Sequence, residues 1–561
     1  MSLLPFLAIT LGAATLALLS RRRPRLSLVV GLAGLALALF AALAIRSGEA
    51  IEIGGGTIVT TAYGRLFLVL GAASGLAISV IGLATSWQRN VPAATLASLG
   101  WTGLALALPD PPSALGATIA AGLTGILVTL VAPLDERGVE VGARELRAVA
   151  VGGTLALVAL AGLAGGLSLS GTGAGTVGLA YLAVVVAVAL RFGTIPFHAW
   201  AGRLSQSAPG AALPLLQAWL PAGFALVALA ALGGPPGAAG AVDGAPAGLL
   251  ARSAEALALE RGLVVALGAI GLLFGTFAAW IQDDLEHLVG YSIAQDAAFV
   301  ILALAAPGPE AWAPARSWIL VFALAKTGLA AWALVLGTTY GSRRIDRLDG
   351  WARRSPVLAI AFVLLVLATI GWPGSTAWAA RTDLVHAAVG DPLRTFVVLA
   401  GLSSLLYYAR LAGIGLRRPA DELGGRTIPR LRWRGALQPT PDAPDRAAAM
   451  TDAPPPAARP AEGAGNRETP LAPDRAAGTS GTWKPALVVA RLAGALRGAR
   501  IRAGELAARF DREWHGRRAM LASLLVLVLA GAAVLSAAGW PEIPAAAGEP
   551  PPAATTGPGS P

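Results

Sequence analysis

The sequence predicts an all-α polytopic membrane protein with about 14 transmembrane helices. Of its 561 residues, 55% are hydrophobic and only 13% carry a charge, and the mean hydropathy is +0.66. Apolar runs of about 20 residues recur along the chain, and a helix of that length crosses a hydrocarbon layer roughly 30 Å thick. Because the runs are continuous and do not alternate at every second residue, they indicate spanning helices and exclude a closed barrel.

The apolar runs place fourteen spans along the chain. The first run has no small-residue cleavage site after it and is followed by an arginine cluster that begins at Arg21, so we expect a retained helix and not a signal peptide. The predicted spans are 3–19, 26–45, 65–86, 91–108, 112–133, 146–167, 176–197, 210–232, 260–281, 287–305, 316–339, 355–386 (interrupted), 391–415 and 519–540.

Arginine-rich loops alternate with arginine-poor loops, and this pattern predicts the orientation of the chain. Cytoplasmic loops of membrane proteins carry an excess of basic residues. The pattern places both termini outside and residues 416–518 in the cytoplasm, and it accounts for most of the net charge of +11. The predicted inside loops contain Arg21, Arg22, Arg23, Arg25, Arg89, Arg137, Arg144, Arg203, Arg343, Arg344, Arg347, Arg353 and Arg354, whereas the outside loops include Arg46, Arg252 and Arg316.

The residue inventory predicts no cofactor and no metal site in this chain. The absence of cysteine excludes disulfides, iron–sulfur clusters and thiolate metal sites, and four scattered histidines argue against a haem or metal centre. The glycines at 54–56 lie in a short polar loop between spans and predict a turn, not a phosphate-binding loop. Basic residues are not interleaved with exposed aromatics, so we expect no nucleic-acid partner.

Three segments near the C-terminus are predicted to lie outside the membrane. Residues 416–482 are rich in Pro, Ala, Asp and Gly and predict a disordered cytoplasmic linker. Residues 483–518 repeat leucines at mostly helical spacing among arginines, which predicts a basic amphipathic helix on the cytoplasmic face. This helix either anchors the chain to the membrane surface in a general way or binds a neighbouring subunit specifically. The proline-rich residues 541–561 predict a disordered tail.

Ionisable residues inside apolar spans are costly and usually mark an ion or proton route. Arg191 and His198 lie at the end of a predicted spanning helix, and Lys326 lies within another. Lys326 is one of two lysines in a chain that otherwise uses arginine. Because burial disfavours the charged form of an amine, such a lysine can release and regain a proton. The alternative is a lysine paired structurally with a carboxylate such as Asp296.

Four motifs follow one another in the order seen in one known family. Residues 191–209 (Arg-Phe-Gly-Thr-Ile-Pro-Phe-His-Ala-Trp, then Ala-Pro) are similar to K-x-G-x-x-P-F-H-x-W…A-P, residues 282–292 to Q-x-D-L-K-R-L-L-A-Y-S-S, residues 325–328 to the K-A-x-L-F helix, and residues 370–381 to G-x-P-x-x-x-G-F-x-x-K/E. Over about residues 60–420 the chain therefore resembles the antiporter-like membrane subunits of respiratory complex I (NADH:quinone oxidoreductase) and of Mrp-type cation/proton antiporters, as a divergent member.

The resemblance implies two inverted five-helix repeats, each with one broken helix. The repeats would occupy residues 91–232 and 260–415, after N-terminal helices in residues 1–90 and before a final helix at 519–540. Helix-breaking residues fit this scheme, since Pro214 and Pro221 predict the first break and Gly371–Gly374 the second. The alternative for either proline is a simple kink.

The departures from the family pattern fall on the residues that move protons. In the first broken helix, the resemblance implies a lysine where this chain has Leu220 or Pro221. It also implies a glutamate on a preceding helix, whereas the span 112–133 has no carboxylate. We therefore expect the N-terminal half-channel to lack the lysine and the glutamate that would carry protons.

The second half keeps more ionisable residues but changes their types. Asp296 stands where the resemblance implies a histidine, and Arg381 stands where it implies a lysine or glutamate. Arginine holds its proton at physiological pH, so Arg381 can set a local field but cannot hand on a proton. Asp283, Asp284, Glu286 and His287 are expected to be solvated charges of an inside loop.

The remaining candidates each carry two interpretations. His198 is either a relay or a helix-end histidine, and Arg191 is expected to cap a helix C-terminus through the helix dipole. Asp383 and His386 either balance the charge of Arg381 or line an outward exit. The predicted proton route draws on Lys326, Arg381, His198, Arg191, Asp296, His386 and Asp383.

The sequence thus predicts a proton-translocating subunit of a bacterial inner-membrane assembly that resembles complex I. The chain would couple a partner's electron-transport reaction to the movement of protons or monovalent cations, without redox chemistry of its own. Its expected partners are other membrane subunits and lipid. The alternatives are a subunit of an Mrp-type antiporter or an inorganic-carbon transporter, and a scaffold paralogue that no longer conducts.

The arginine pattern makes a direct prediction about membrane sidedness. Because the chain has no cysteine, a single Ser342→Cys variant should react with a membrane-impermeant thiol reagent only from the cytoplasmic side. Ser47→Cys, in a predicted outside loop, is the matched control and should react only from outside. Labelling of Ser342→Cys from outside would overturn the predicted orientation.

Overall fold

The computed structural model describes most of the chain as helices. The described residues are 2–53, 56–86, 90–131, 136–164, 173–198, 200–201, 204, 208, 210–233, 257–306, 309–418 and 516–539. The predicted linker 416–482 and surface helix 483–518 therefore lie almost wholly outside the described residues, and the tail 541–561 lies entirely outside them. Within the described ranges the predicted all-α membrane fold is confirmed.

The helices follow the apolar runs of the sequence. In the first half they are α1 (Leu4–Leu19), α2 (Pro24–Ala44), α3 (Ala62–Ser86), α4 (Val91–Ala105), α5 (Pro111–Val131), α6 (Glu136–Ala164), α7 (Gly173–Phe192) and α8 (Leu220–Gly233). In the second half they are α9 (Ala258–Trp280), α10 (Leu285–Ala305), α11 (Pro309–Tyr340), α12 (Trp351–Arg354), α13 (Pro356–Ile370), α14 (Thr376–Leu402), α15 (Leu405–Leu416) and α16 (Gly516–Ala538).

Each predicted span contains a helix, but the count of fourteen crossings is not confirmed. In the described part of the chain, 11 helices are long and apolar enough to cross a membrane. The helix α4 has 15 residues, which at 1.5 Å per residue gives a length of about 22 Å, shorter than the hydrocarbon layer. The helix α13 also has 15 residues, because it is one half of an interrupted span.

A small hairpin lies in a loop that the sequence predicted only as a polar turn. The strands β1 (Ala50–Ile53) and β2 (Gly56–Val59) pair antiparallel, with Ile51 opposite Ile58. The backbone N–H of Val59 donates to the carbonyl of Ala107 at 3.1 Å. The hairpin is therefore tied to the end of α4.

The second helix break lies where the sequence predicted it. Helix α13 ends at Ile370, and the chain turns through Gly371 and Gly374, whose φ angles are +70° and +91°. Ser375 then caps α14, since its Oγ accepts from the backbone N–H of Trp378 at 3.2 Å. Side chains rarely adopt positive φ, so the glycines make this turn possible.

Between Pro214 and Pro221, where the sequence predicted the first break, the helix is distorted but not interrupted. Leu215–Trp219 forms a π-helical turn that continues directly into α8, and the N–H of Leu220 bonds to the carbonyl of Leu215. Proline lacks an N–H and its ring collides with the carbonyl four residues earlier. Widening the helix by one π turn accommodates Pro221 without interrupting the helix.

The end of α7 is closed by residues of the connection that follows it. The chain leaves the helix at Gly193, whose φ is +61°. Thr194 N–H donates to the carbonyl of Ala189 at 3.0 Å, and Trp200 Nε1 donates to that of Leu190 at 2.8 Å. These bonds satisfy carbonyls that a helix end leaves unpaired.

The two turn glycines after α13 provide a matched test of this geometry. Gly374→Ala should cost about 1–2 kcal/mol, because a side chain is strained at positive φ. Gly371→Ala should cost more, because its Cβ would also lie 2.8 Å from the backbone nitrogen of Trp378, whereas the space around Gly374 is open. Thermal unfolding of the two purified variants measures the difference. Equal midpoints would contradict the tight turn at Gly371.

Candidate functional site

The central feature of the second half is an ion pair buried between α10 and α11. Lys326 lies in the middle of α11 and is 0% exposed, and Asp296 on α10 is 1% exposed. Lys326 Nζ lies 2.6 Å from Asp296 Oδ2. A buried lysine without an opposite charge is strongly unfavourable, so the position of Lys326 depends on this carboxylate.

Two hydroxyl groups complete the surroundings of the amine. Lys326 Nζ donates to Ser292 Oγ at 3.2 Å and to Tyr408 OH at 3.4 Å. Ser292 and Asp296 are four residues apart and therefore lie on one face of α10. An ammonium group has three N–H donors, so the carboxylate and the two hydroxyls provide one acceptor for each.

Aromatic residues hold Tyr408 in place. Its ring lies 4.5 Å from that of Tyr407 and 6.0 Å from that of Phe362. Tyr407 OH donates to Gln295 Oε1 at 2.7 Å, which links α15 to α10. Tyr407 and Tyr408 lie outside the sequence motifs, and Ser292 ends the motif at 282–292 without having been predicted as a site residue, because polar contacts between distant helices depend on tertiary packing.

Asp296 keeps one oxygen free for exchange. Neither carboxylate oxygen has a hydrogen-bond donor of suitable geometry within the described ranges, apart from the close ion-pair contact of Oδ2 with Lys326. Buried polar atoms without a protein partner usually bind an ordered water. Asp296 Oδ1 is therefore a position suited to an ordered water.

Arg381 stabilises the broken helix. Its Nη1 donates to the carbonyls of Ile370 at 2.6 Å and Thr369 at 3.3 Å, so the guanidinium satisfies the end of α13. The guanidinium carbon also lies 4.3 Å from the centroid of the Phe299 ring and 5.2 Å from that of Trp318. A positive charge is favourable at a helix C-terminus and over an aromatic face.

Asp383 and His386 differ from Arg381 in their exposure. Both are exposed on α14, whereas Arg381 on the same helix is 5% exposed. Asp296 is an acidic side chain whose charge acts on Arg381.

In the first half, Arg191 forms a second buried charged site. It is 5% exposed, and a Cβ on Gly122 would lie 2.8 Å from its Nη2. The carboxylate whose charge acts on it belongs to Glu145 on α6, which is 3% exposed. Arg191 lies in the last turn of α7, as its predicted capping role requires. However, Thr194 and Trp200 donate the hydrogen bonds to the carbonyls of Ala189 and Leu190 at this helix end.

The prediction that the first half had lost its carboxylate is therefore wrong in one respect. The span 112–133 has none, but α6 begins at Glu136 and not near 146, so Glu145 falls inside a helix. Its charged neighbours made this stretch look like a loop. The fixed charge of Arg191 nevertheless leaves the pair without a titratable cation.

Apolar groups separate the two buried charged sites. Leu220 packs against Gly125, where a Cβ would lie only 2.5 Å from Leu220 Cδ1. Trp219 Nε1 donates to Thr327 Oγ1 at 2.9 Å, beside Lys326. The position at which the family resemblance implies a lysine is thus filled by hydrocarbon and an indole ring.

Glu286 is buried, which corrects the expectation of a solvated loop charge. It is 3% exposed, and Arg343 Nη1 lies 3.0 Å from its Oε2. Asp284 caps α10 by accepting from the backbone N–H groups of Glu286 and His287. Asp283 remains exposed at 76% and lies 3.3 Å from Arg410 Nη2.

His198 lies beside α10. Its ring centroid lies 5.9 Å from that of Tyr291, and its Nδ1 is buried without a hydrogen-bond partner among the described residues. The described residues contain no group of three His, Asp or Glu side chains placed to hold a metal. The arrangement is that of buried charge pairs and hydroxyls, which can bind and move protons.

Comparison with known proteins agrees with this geometry. A family model described as "NADH:quinone oxidoreductase/Mrp antiporter, TM" matches residues 249–406, which include Lys326, Asp296 and Arg381. The chain is 29% identical to NADH-quinone oxidoreductase subunit N 1 of Streptomyces griseus over 279 residues, which is 49% of this chain and 54% of the relative. The match thus spans about half the length of that relative.

A second relative is matched over most of its length. The chain is 28% identical to NADH-quinone oxidoreductase subunit N of Cereibacter sphaeroides over 453 residues, 77% of this chain and 92% of the relative. A solved structure of respiratory complex I from Thermus thermophilus contains a similar fold, with a TM-score of 0.57 and 21% identity over 74% of this chain and 90% of that one. The chain is thus similar to the antiporter-like membrane subunits of complex I and Mrp antiporters, with the family model matching its second half.

Proposed function

We propose that the protein is a proton-translocating subunit of a bacterial inner-membrane complex that resembles NADH:quinone oxidoreductase. The observation that carries the proposal is the buried pair of Lys326 and Asp296, 2.6 Å apart within two apolar helices. Such pairs inside membranes are costly and typical of proton routes. The names of the relatives support a place in an assembly with other membrane subunits.

The pair offers a simple proton-transfer step. A proton can pass from Lys326 Nζ to Asp296 Oδ2 across their existing contact, which converts an ion pair into a neutral pair. The protonated carboxyl group can then rotate about its Cβ–Cγ bond, so that the oxygen carrying the proton turns away from Lys326 and releases the proton to water. The neutral amine then regains a proton. Ser292 and Tyr408 keep the amine in position in both states, because each hydroxyl oxygen can accept from it.

The two halves have different roles in this proposal. The second repeat, residues 260–415, carries the titratable pair. In the first repeat, residues 91–232, Arg191 retains its proton and Leu220 fills the space between the charged sites, so that repeat is structural. Both termini face outside and residues 416–518 face the cytoplasm, in line with the arginine pattern.

A scaffold without conduction is the second candidate, and one observation favours it. All three donors of Lys326 have acceptors in the protein, as expected of a purely structural ion pair. An Mrp-type antiporter subunit would use the same pair with a different partner reaction. Transport measurements on variants of Lys326 separate the scaffold from both conducting candidates.

Replacement of Lys326 should stop coupled proton movement in the assembled complex. Lys326→Arg should reduce flux to background, because arginine keeps the charge but does not release its proton. The double change Lys326→Met with Asp296→Asn should do the same and removes both charges, so that no unpaired charge remains buried. Proton uptake by reconstituted complex, normalised to assembled protein, measures the effect.

Asp346→Asn is the matched control for these variants. Asp346 forms an exposed pair with Arg344 at 2.9 Å, and exposed pairs contribute little, so its flux should equal that of the wild type. Normal flux from correctly assembled Lys326→Arg and double variants would overturn the relay and support the scaffold.

Arg191 should affect assembly and not conduction. Arg191→Gln removes a buried positive charge that acts on the buried carboxylate of Glu145, so the yield of assembled complex should fall. Arg191→Lys keeps the charge and should restore much of that yield. The flux per assembled complex should be unchanged in both, and a selective loss of flux would show that the first half also conducts.

A further inference from the structure

We infer that Glu286 is the group through which protons enter the relay, from the membrane face that carries the loop of Arg343. This inference rests on the proposed function, since it requires Lys326 and Asp296 to exchange protons. It concerns a carboxyl group at a position where the family resemblance implies a lysine.

Glu286 connects the protein interior to the aqueous side. It lies in the first turn of α10 and is 3% exposed, whereas the side chain of its ion-pair partner Arg343 is 31% exposed. The surrounding backbone is fixed, because Leu285 N–H donates to the carbonyl of Arg343 at 2.9 Å and Ile345 N–H to that of Asp283 at 2.8 Å. The buried carboxylate is thus in contact with a side chain, that of Arg343, which itself reaches the solvent.

One turn further along α10, the side-chain amide of Gln217 lies beside Gly290. Gly290 is four residues after Glu286, and a Cβ there would lie 3.5 Å from Gln217 Oε1. Gln217 is 1% exposed. Its Nε2 donates to the carbonyl of Ala201 at 2.9 Å, but its Oε1 has no partner among the described residues. A buried carbonyl oxygen in this state is a water-binding group.

His198 and Ser292 continue this path toward the relay. The ring of His198 lies beside that of Tyr291, and its buried Nδ1 has no hydrogen-bond partner in the part of the chain that the structure describes. Ser292 Oγ accepts from Lys326. From Glu286 to Asp296 is ten residues of helix, about 15 Å. Beside this stretch of α10 lie Gln217 Oε1 and the His198 ring, two polar groups from other segments that can each bind a water molecule.

The proposed entry step moves only protons and breaks no other covalent bond. Glu286 accepts one proton from the aqueous side, and its ion pair with Arg343 is released. The proton then passes through waters at Gln217 Oε1 and His198 to the neutral amine of Lys326, which lacks a proton once Asp296 has released one, and Glu286 returns to the carboxylate. Arg343 keeps its proton throughout, so it attracts the carboxylate back into place.

Proton flux of the assembled complex tests this entry route. Glu286→Gln keeps the shape but cannot carry a proton, and flux should fall roughly tenfold or more, whereas Asp346→Asn on the neighbouring loop should leave it unchanged. Glu286→Asp should restore part of the flux. If Lys326→Arg stops flux and Glu286→Gln does not, the entry route is wrong and the proposed function stands. If neither variant changes flux, the proposed function itself fails.

Gly290→Ala tests the same route if Glu286→Gln does not assemble. The added methyl would lie at ordinary contact distance from Gln217 Oε1, so the fold should tolerate it while the water position is filled. Flux should again fall, and unchanged flux in an assembled Gly290→Ala complex would contradict this route through water. Infrared difference spectra on acidification should also show a carboxyl C=O band that is absent in Glu286→Gln, and an unchanged band would contradict titration of Glu286.

Discussion

The cost of burying charge in a membrane interior is the constraint on which the functional part of this protein depends. The Lys326 ammonium has no contact with solvent, so its three donors must all find acceptors within the protein. Asp296, Ser292 and Tyr408 provide them from two different helices. The requirement thus fixes α10, α11 and α15 relative to one another and makes the pair part of the fold as well as of the proposed route.

The chain uses its two types of buried cation for different tasks. Arg381 and Arg191 each lie near a helix end, where a permanent charge offsets unpaired carbonyls or a buried carboxylate. Lys326 lies in the middle of a continuous helix, where no carbonyl needs a partner. A permanent charge would serve no structural purpose there that an apolar residue could not serve better. This contrast is the physical argument for a mobile proton at Lys326.

Much of the fold could be predicted because its signals are local. Apolar runs predict helices wherever the chain must satisfy its own backbone in lipid, and the glycines at 371 and 374 predict the second break. The shape of the helix at the predicted first break could not be foreseen in the same way. Pro221 produces a π turn and not an interruption, and the outcome depends on whether the surrounding helices accept a wider turn.

The site was only partly predictable for a related reason. Lys326 and Asp296 were recognisable as charges inside apolar segments, and their pairing follows from the packing of neighbouring helices. Glu145 and Glu286 were missed because each lies at the edge of a charged stretch that resembles a solvated loop. Their burial comes from tertiary structure, since α6 starts earlier than its apolar run and the loop of Arg343 folds over the start of α10.

The protonation state of Lys326 tests the account most directly. The chain has two lysines, 326 and 484, so a Lys484→Arg variant labelled with ¹⁵N at lysine Nζ gives one side-chain signal from this subunit. Solid-state NMR of the reassembled complex in membranes can follow that signal while a transmembrane pH difference is applied. We expect signals of both the ammonium and the neutral amine, with proportions that respond to the applied difference. A single ammonium signal under every condition would contradict a relay at Lys326.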